Sequence, residues 1–181
     1  MKLRLDNILL IAGTGRNSGK TSVACTLIQH FSSHFHVMAI KISPHKHSPV
    51  GKNQVIKQSS GYSIVEEFEK NTGKDSSRML NAGASRSFYI EAKDTFVNTA
   101  FHELYENLPS NVPIICESPA LRAFVNPGVF IITHHAAVIY QKEYIIDQYP
   151  LADLMIDISS NDRVNSLDII HFKEDEWKLE S

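Results

Sequence analysis

The sequence predicts an α/β domain of three layers, with a mainly parallel sheet and helices on both faces. Three observations predict it. Short apolar runs alternate along the chain with segments whose apolar residues recur at helical spacing, the pattern of repeated strand–helix–strand units. The first run, Ile8–Ala12, is continuously apolar, as a strand covered on both faces should be. A glycine-rich stretch follows it at once and leads directly into a helical pattern.

The elements follow in order. After the strand Ile8–Ala12 and its glycines, Val23, Ala24, Leu27, Ile28 and Phe31 form one apolar face of a helix. Val37–Ile42 is the second strand. From Ser43 to Lys74 the chain is polar and carries Gly51, Gly61, Gly73 and two prolines. A long active-site loop is expected there, with a short helix or strand near Ser63–Glu69. Asp75–Leu80 predicts a short helix with Asp75 as its N-cap, and Ser87–Ile90 a strand. Val97, Ala100, Phe101, Leu104 and Leu108 predict the next helix, closed by Pro109. Val112–Cys116 and Val129–Ile132 are further strands, and Lys142–Tyr149 a helix. Leu154–Ile158 and Leu167–Phe172 are the last strands, before a charged tail that contains Trp177. No repeat or linker interrupts the pattern, so residues 1–181 are expected to form one domain.

Composition bounds the function. Of 181 residues, 43% are hydrophobic and 21% charged, the balance of a folded protein. A net charge of -2 lacks the basic footprint of a nucleic-acid or membrane-surface binder. No apolar run reaches the length of a bilayer span. The first residues run into a strand that ends in glycines, which argues against a signal peptide. Cys25 and Cys116 read as small buried hydrophobes of a reducing compartment, and the expected location is the cytoplasm.

The segment that carries chemistry is Gly13-Thr14-Gly15-Arg16-Asn17-Ser18-Gly19-Lys20-Thr21, continuing into Ser22. Anions are held best where backbone N–H groups converge at a helix N-terminus, and glycines let that backbone approach phosphate closely. Lys20 suits the β- and γ-phosphates, and the Thr21 hydroxyl suits Mg²⁺. The pattern is that of a P-loop binding a nucleoside triphosphate, ATP or GTP. The usual first glycine position is Thr14, while glycine stands one place earlier, leaving five residues between Gly13 and Gly19. A plain helix-capping turn is the competing reading, but such a turn has no need of Gly-Lys-Thr.

This loop, the strand segment Val37–Lys41, the run Gly73–Ala84 (Gly-Lys-Asp-Ser-Ser-Arg-Met-Leu-Asn-Ala-Gly-Ala) and Ile114–Glu117 together resemble the MobB family. These are molybdopterin-guanine dinucleotide biosynthesis proteins B. The likeness covers roughly the first two-thirds of the chain, and its most specific part is the Gly73–Ala84 run. The wider glycine spacing also resembles dethiobiotin synthetase. Both families resemble nitrogenase iron proteins and MinD-type ATPases. The resemblance implies a three-layer P-loop NTPase fold, often a homodimer with its site near the interface. Two features depart from the MobB pattern: Glu117 is followed by Ser118-Pro119 rather than glycine, and nothing from Ala120 onward matches.

Several other residues are candidates. Glu117 ends an apolar strand at the sheet edge where open α/β sheets bind ligands. It reads as a Mg²⁺ ligand, directly or through water, or as a water-orienting group, against a solvated strand-end carboxylate. The resembled families carry an acidic residue after the second strand, which implies Asp75 as a further Mg²⁺ ligand; by its local pattern it reads equally as a helix N-cap. Lys41 interrupts an apolar strand end; the resemblance to dethiobiotin synthetase places it over the γ-phosphate and substrate, against a lysine reaching for the sheet edge. His45 and His47, like His134 and His135, read first as polar loop residues and only second as ligands. Arg78 and Arg86 flank the Ala-Gly-Ala turn as candidate anion binders. Ser118 lacks the surroundings of a nucleophile elbow. Asn161 and Asp162 follow a late strand, where related folds place base-recognising loops, and no Asn-Lys-x-Asp guanine motif is present.

Two function classes follow. One is an enzyme or accessory in cofactor metabolism that uses Mg²⁺ and ATP or GTP on a small anionic substrate, with Lys20, Lys41 and Glu117 carrying the chemistry. The other is a nucleotide-dependent switch or carrier for a protein partner, with slow or no turnover.

Overall fold

A computed structural model describes residues 2–15, 17–44, 52–135, 143–160 and 167–180. Strands β1 (Leu3–Gly13), β2 (Met38–Ser43), β3 (Gln54–Gln58), β4 (Tyr62–Glu67), β5 (Arg86–Ala92), β6 (Ile114–Glu117), β7 (Val125–His134) and β8 (Leu154–Asp157) form one sheet. Its order is β3-β4-β5-β2-β6-β1-β7-β8. The run from β5 to β8 is parallel throughout, and the β3–β4 and β4–β5 pairings are antiparallel, so β4 runs against the other strands. The mainly parallel α/β sheet expected from the sequence is therefore present.

Helices pack on both faces. Helix α1 (Lys20–Phe31) buries Val23, Ala24, Leu27, Ile28 and Phe31 against Leu9, Ile11, Ala39 and Ile115, with Met79 of α2 (Asp75–Asn81) alongside. Helix α3 (Val97–Tyr105) buries Val97, Ala100, Phe101 and Leu104 against Leu10, Ile40, Phe88 and Ile114 on the other face, where Ile145 of α4 (Glu143–Ile146) also packs. Each of the large apolar side chains so buried contributes about 1.5–3 kcal/mol. Among the described residues no helix is long and apolar enough to cross a membrane.

Three expectations need correction. The polar stretch after β2 is not one long loop: a strand, one of the two forms expected near Ser63–Glu69, is present as Tyr62–Glu67, and it pairs with Gln54–Gln58 as a hairpin that extends the sheet. Its inner strand is buried yet holds Ser63, Glu66 and Glu67, which is why its hydropathy did not mark the whole strand. The charged tail is also structured. Strands β9 (Ile170–Lys173) and β10 (Glu176–Leu179) form a second hairpin, and Trp177 enters the core on the α1 face. Finally, Asp75 is the first residue of α2 rather than its cap; Lys74 holds the cap position, without a side-chain bond.

The topology places the site. The chain leaves β1 through α1 on one face, whereas it leaves β6 through Leu121, which packs on the opposite face. Adjacent strands whose connections diverge in this way open a crevice beyond their carboxyl ends. Gly13 and Glu117 end those two strands.

Candidate functional site

Strand register brings the polar residues together. Lys41 of β2 lies opposite Glu117 of β6 on one side and Tyr89 of β5 on the other. In each strand the alternate residues Ile40, Cys116 and Phe88 enter the α3-face core, so Glu117, Lys41 and Tyr89 form a row on the α1 face. No strand neighbours in this row are neighbours in sequence.

The loop begins where β1 ends. Thr14 N–H donates to the carbonyl of Thr133 at 3.1 Å, extending the β1–β7 ladder by one residue. Among its described residues the loop then turns through two of positive φ, Asn17 at 61° and Gly19 at 78°, before α1 starts at Lys20. At Gly19 the left-handed backbone strongly favours glycine. At Gly13 the requirement is space: a Cβ there would lie 2.2 Å from Ser18 Oγ, 2.7 Å from Thr133 Oγ1 and 2.8 Å from Lys20 Cγ. Gly13→Ala is expected to displace the Ser18 side of the loop. Amide exchange over Thr14–Ser18 should rise, while global stability falls by about 1–3 kcal/mol; unchanged exchange would count against this packing.

Lys20 curls over the loop. Its ammonium donates to the Gly15 carbonyl at 2.6 Å and to Ser18 Oγ at 3.1 Å. Ser18 Oγ donates in turn to the Gly15 carbonyl at 3.0 Å and lies 3.4 Å from Thr133 Oγ1. The fully buried Thr133 hydroxyl donates to the Ala12 carbonyl at 3.2 Å, so one residue of β7 braces both sides of the loop. Thr14 is buried too, and its hydroxyl has no hydrogen-bond partner among the described residues. First-turn N–H groups of a helix have no carbonyl within the helix to bond, and here they begin at Lys20.

Glu117, 1% exposed, is held at both oxygens. Thr21 Oγ1 donates to its Oε2 at 2.7 Å, and the Lys41 ammonium donates to its Oε1. The same ammonium is 2.9 Å from Asp75 Oδ2, and Arg78 stands 3.7 Å from the other oxygen of Asp75. Burial disfavours the charged form of Lys41, yet Glu117 and Asp75 outweigh it and hold the lysine pKa above its ordinary value. Burial likewise works against ionised Asp75, but Lys41 prevails and the carboxyl is held below its ordinary value. The Tyr89 phenol beside this group is pushed up to about 12, mainly by burial. This charge-assisted pairing explains why Asp75 does not cap its helix: the ammonium is the stronger partner.

Lys20, Thr21, Lys41, Asp75 and Glu117 are thus gathered at one end of the sheet. The other candidates divide. Arg78 is half-exposed at the rim, and its guanidinium faces Asp75. Arg86 lies at the opposite, amino-terminal end of the parallel strands, in a two-bond pair with Glu66 at 2.7 and 2.8 Å. A cleft of about 400 Å³ there is lined by Gln54, Lys57, Glu66, Arg86 and Glu103, whose charges pair with one another. His134 ends β7 and accepts the Ile158 N–H through its carbonyl at 2.9 Å. Ser118 accepts the Leu121 N–H, a local turn contact. Cys116 is buried, but Cys25 is only partly so, a correction to the expected burial of both. Arg16, His45, His47, Asn161 and Asp162 lie outside the described residues.

Sequence reasoning missed Thr133, Tyr89 and Ile158. Thr133 resembles any β-branched strand residue, and Tyr89 any strand aromatic. Ile158 Cγ2 would lie 2.5 Å from a Cβ at Gly19, so the turn after β8 adjoins the loop. Comparison of the chain with protein-family models finds no matching family, and comparisons with curated proteins and with solved structures find no match.

Proposed function

We propose that Gly13–Ser22 is a P-loop that binds ATP or GTP together with Mg²⁺. One observation carries the reading: the curled loop leads into the N-terminus of α1 at the carboxyl ends of β1 and β6, with the Thr21 hydroxyl 2.7 Å from the buried Glu117. Several features of the site support it. The Lys20 ammonium and the buried Thr14 hydroxyl are donors within the loop. Thr21, Glu117 and Asp75 offer a hydroxyl and carboxylates, the hard oxygen ligands that Mg²⁺ takes alongside water and phosphate. When bound, the metal would neutralise charge on the phosphates.

In this reading Lys20 would neutralise the β- and γ-phosphates, Glu117 would fix Thr21 and help hold the metal, and Lys41 would stabilise charge that develops at the transferred group. The likeness of Gly73–Ala84 to MobB proteins directs the search for a second substrate toward small anionic cofactor precursors, and for a partner toward a second copy of the chain.

Isothermal titration with non-hydrolysable ATP and GTP analogues and Mg²⁺ tests the reading. Binding on the order of micromolar is expected for one analogue, and about 10- to 150-fold weaker binding for Lys20→Ala. Absence of binding by the unaltered protein to both analogues would sink it.

A further inference from the structure

The Lys41 ammonium lies at the meeting point of two carboxylates that come from different elements, Glu117 from β6 and Asp75 from α2. The second oxygen of Glu117 takes the Thr21 hydroxyl, so both its acceptors are engaged. The lysine side chain is only 13% exposed, and its ammonium sits between two negative groups that would otherwise repel, while Arg78 faces only the outer oxygen of Asp75, at 3.7 Å.

We infer that Lys41 is the resident cation of the nucleotide-free protein: its ammonium occupies the seat between Glu117 and Asp75 and is displaced only when a divalent cation arrives with the triphosphate. The inference deepens the nucleotide reading and rests on it for the order of events. Free Mg²⁺ sheds its water reluctantly. To enter alone it would have to evict an ammonium that is mostly buried and offer it no new anion. The triphosphate changes that balance. It brings negative charge to which both Lys20 and the released Lys41 can turn, so metal and nucleotide favour each other's entry. The site thereby discriminates against metal without nucleotide, using a residue of the chain as the competitor.

Removal of the competitor should expose the seat. Mn²⁺ binding without nucleotide, followed by the loss of the free-ion paramagnetic resonance signal, is the test. Lys41→Met is expected to bind Mn²⁺ at least about tenfold more tightly than the unaltered protein, because the buried Glu117 loses its counter-charge and Asp75 keeps only the half-exposed Arg78. Lys41→Arg, which restores a cation, should behave as the unaltered protein does. The double variant Lys41→Met, Glu117→Gln should lose the gain. If Lys41→Met does not fold, Lys41→Gln, which keeps a neutral donor for Glu117, should show the same gain. Equal Mn²⁺ affinity in the neutral variants and the unaltered protein would overturn the inference. So would a gain that survives Glu117→Gln. No nucleotide is present in this titration, so its outcome does not depend on whether ATP or GTP binds. Conversely, tight analogue binding with no gain in the neutral variants would remove this inference and leave the nucleotide reading standing.

Discussion

Lys41→Met, studied in chelator at neutral pH, is expected to lose about 3–5 kcal/mol of folding stability, because removal of one partner leaves a buried charge uncompensated. The buried charge is Glu117, whose remaining partner is a neutral hydroxyl. Asp75 is better hydrated and loses less. Urea denaturation of the two proteins measures the difference. A loss below about 1 kcal/mol, the value of an exposed ion pair, would show that Glu117 reaches water after all.

The pH dependence has a definite sign. Lys41 holds its proton more tightly in the fold than in the unfolded chain, so its contribution is complete below the unfolded value of about 10.4 and falls as pH rises through the higher folded value. Asp75 holds its proton less tightly in the fold. Its contribution is complete above an unfolded value of about 3.9 and falls as pH drops through the lower folded value. The stability gap between the unaltered protein and Lys41→Met should therefore be widest between these limits and narrow toward both. A gap that widens on acidification would contradict the pairing.

The same residues show how far the sequence could be read. The loop was legible because its three signals are local: an apolar strand, Gly19-Lys20-Thr21 and an amphipathic helix lie within Ile8–Phe31. Lys41 and Glu117 were legible one at a time, since each puts a charge at the end of an apolar strand. Their contact was not, because it depends on β6 sitting between β1 and β2, and strand order is a tertiary fact. Asp75 illustrates competition between local and distant partners. Asp before Ser-Ser-Arg is a good cap by local rules, but an ammonium across the sheet outbids a backbone N–H. Thr133 carried no signal at all: it braces the loop through one hydroxyl and one carbonyl, with no charge or glycine to mark it. The hairpin Gln54–Glu67 was half-seen. Its outer strand is exposed on both sides, so neither alternation nor a continuous apolar run marks it.

Trp177→Ala is expected to cost a further kind of stability, about 3–5 kcal/mol, from the part of the chain that read as a tail. Trp177 is 1% exposed and meets Phe31 and Phe172 edge-on, at ring separations of 4.8 and 5.1 Å. These contacts fasten the β9–β10 hairpin over the end of α1. The indole also satisfies a particular backbone group. The pairing of β1 with β7 shifts register between Leu5 and Leu9, and Asn7 lies in that irregularity. Its carbonyl accepts the indole N–H at 3.0 Å. Its side chain donates to the Val112 carbonyl at 3.1 Å and accepts the Tyr105 hydroxyl at 2.8 Å, so Asn7 ties the hairpin to the α3 side of the sheet. Trp177→Phe separates the two effects. It keeps most of the ring packing and strands the Asn7 carbonyl, for a loss of about 1–3 kcal/mol. Since Trp177 is the sole tryptophan, unfolding of both variants is followed by far-ultraviolet circular dichroism in urea. Equal losses for Phe and Ala would assign the whole effect to the hydrogen bond, and near-zero loss for Phe would assign it to packing. Losses below about 1 kcal/mol for both would mean that the hairpin detaches without cost, and that the α1 face is covered by something other than β10.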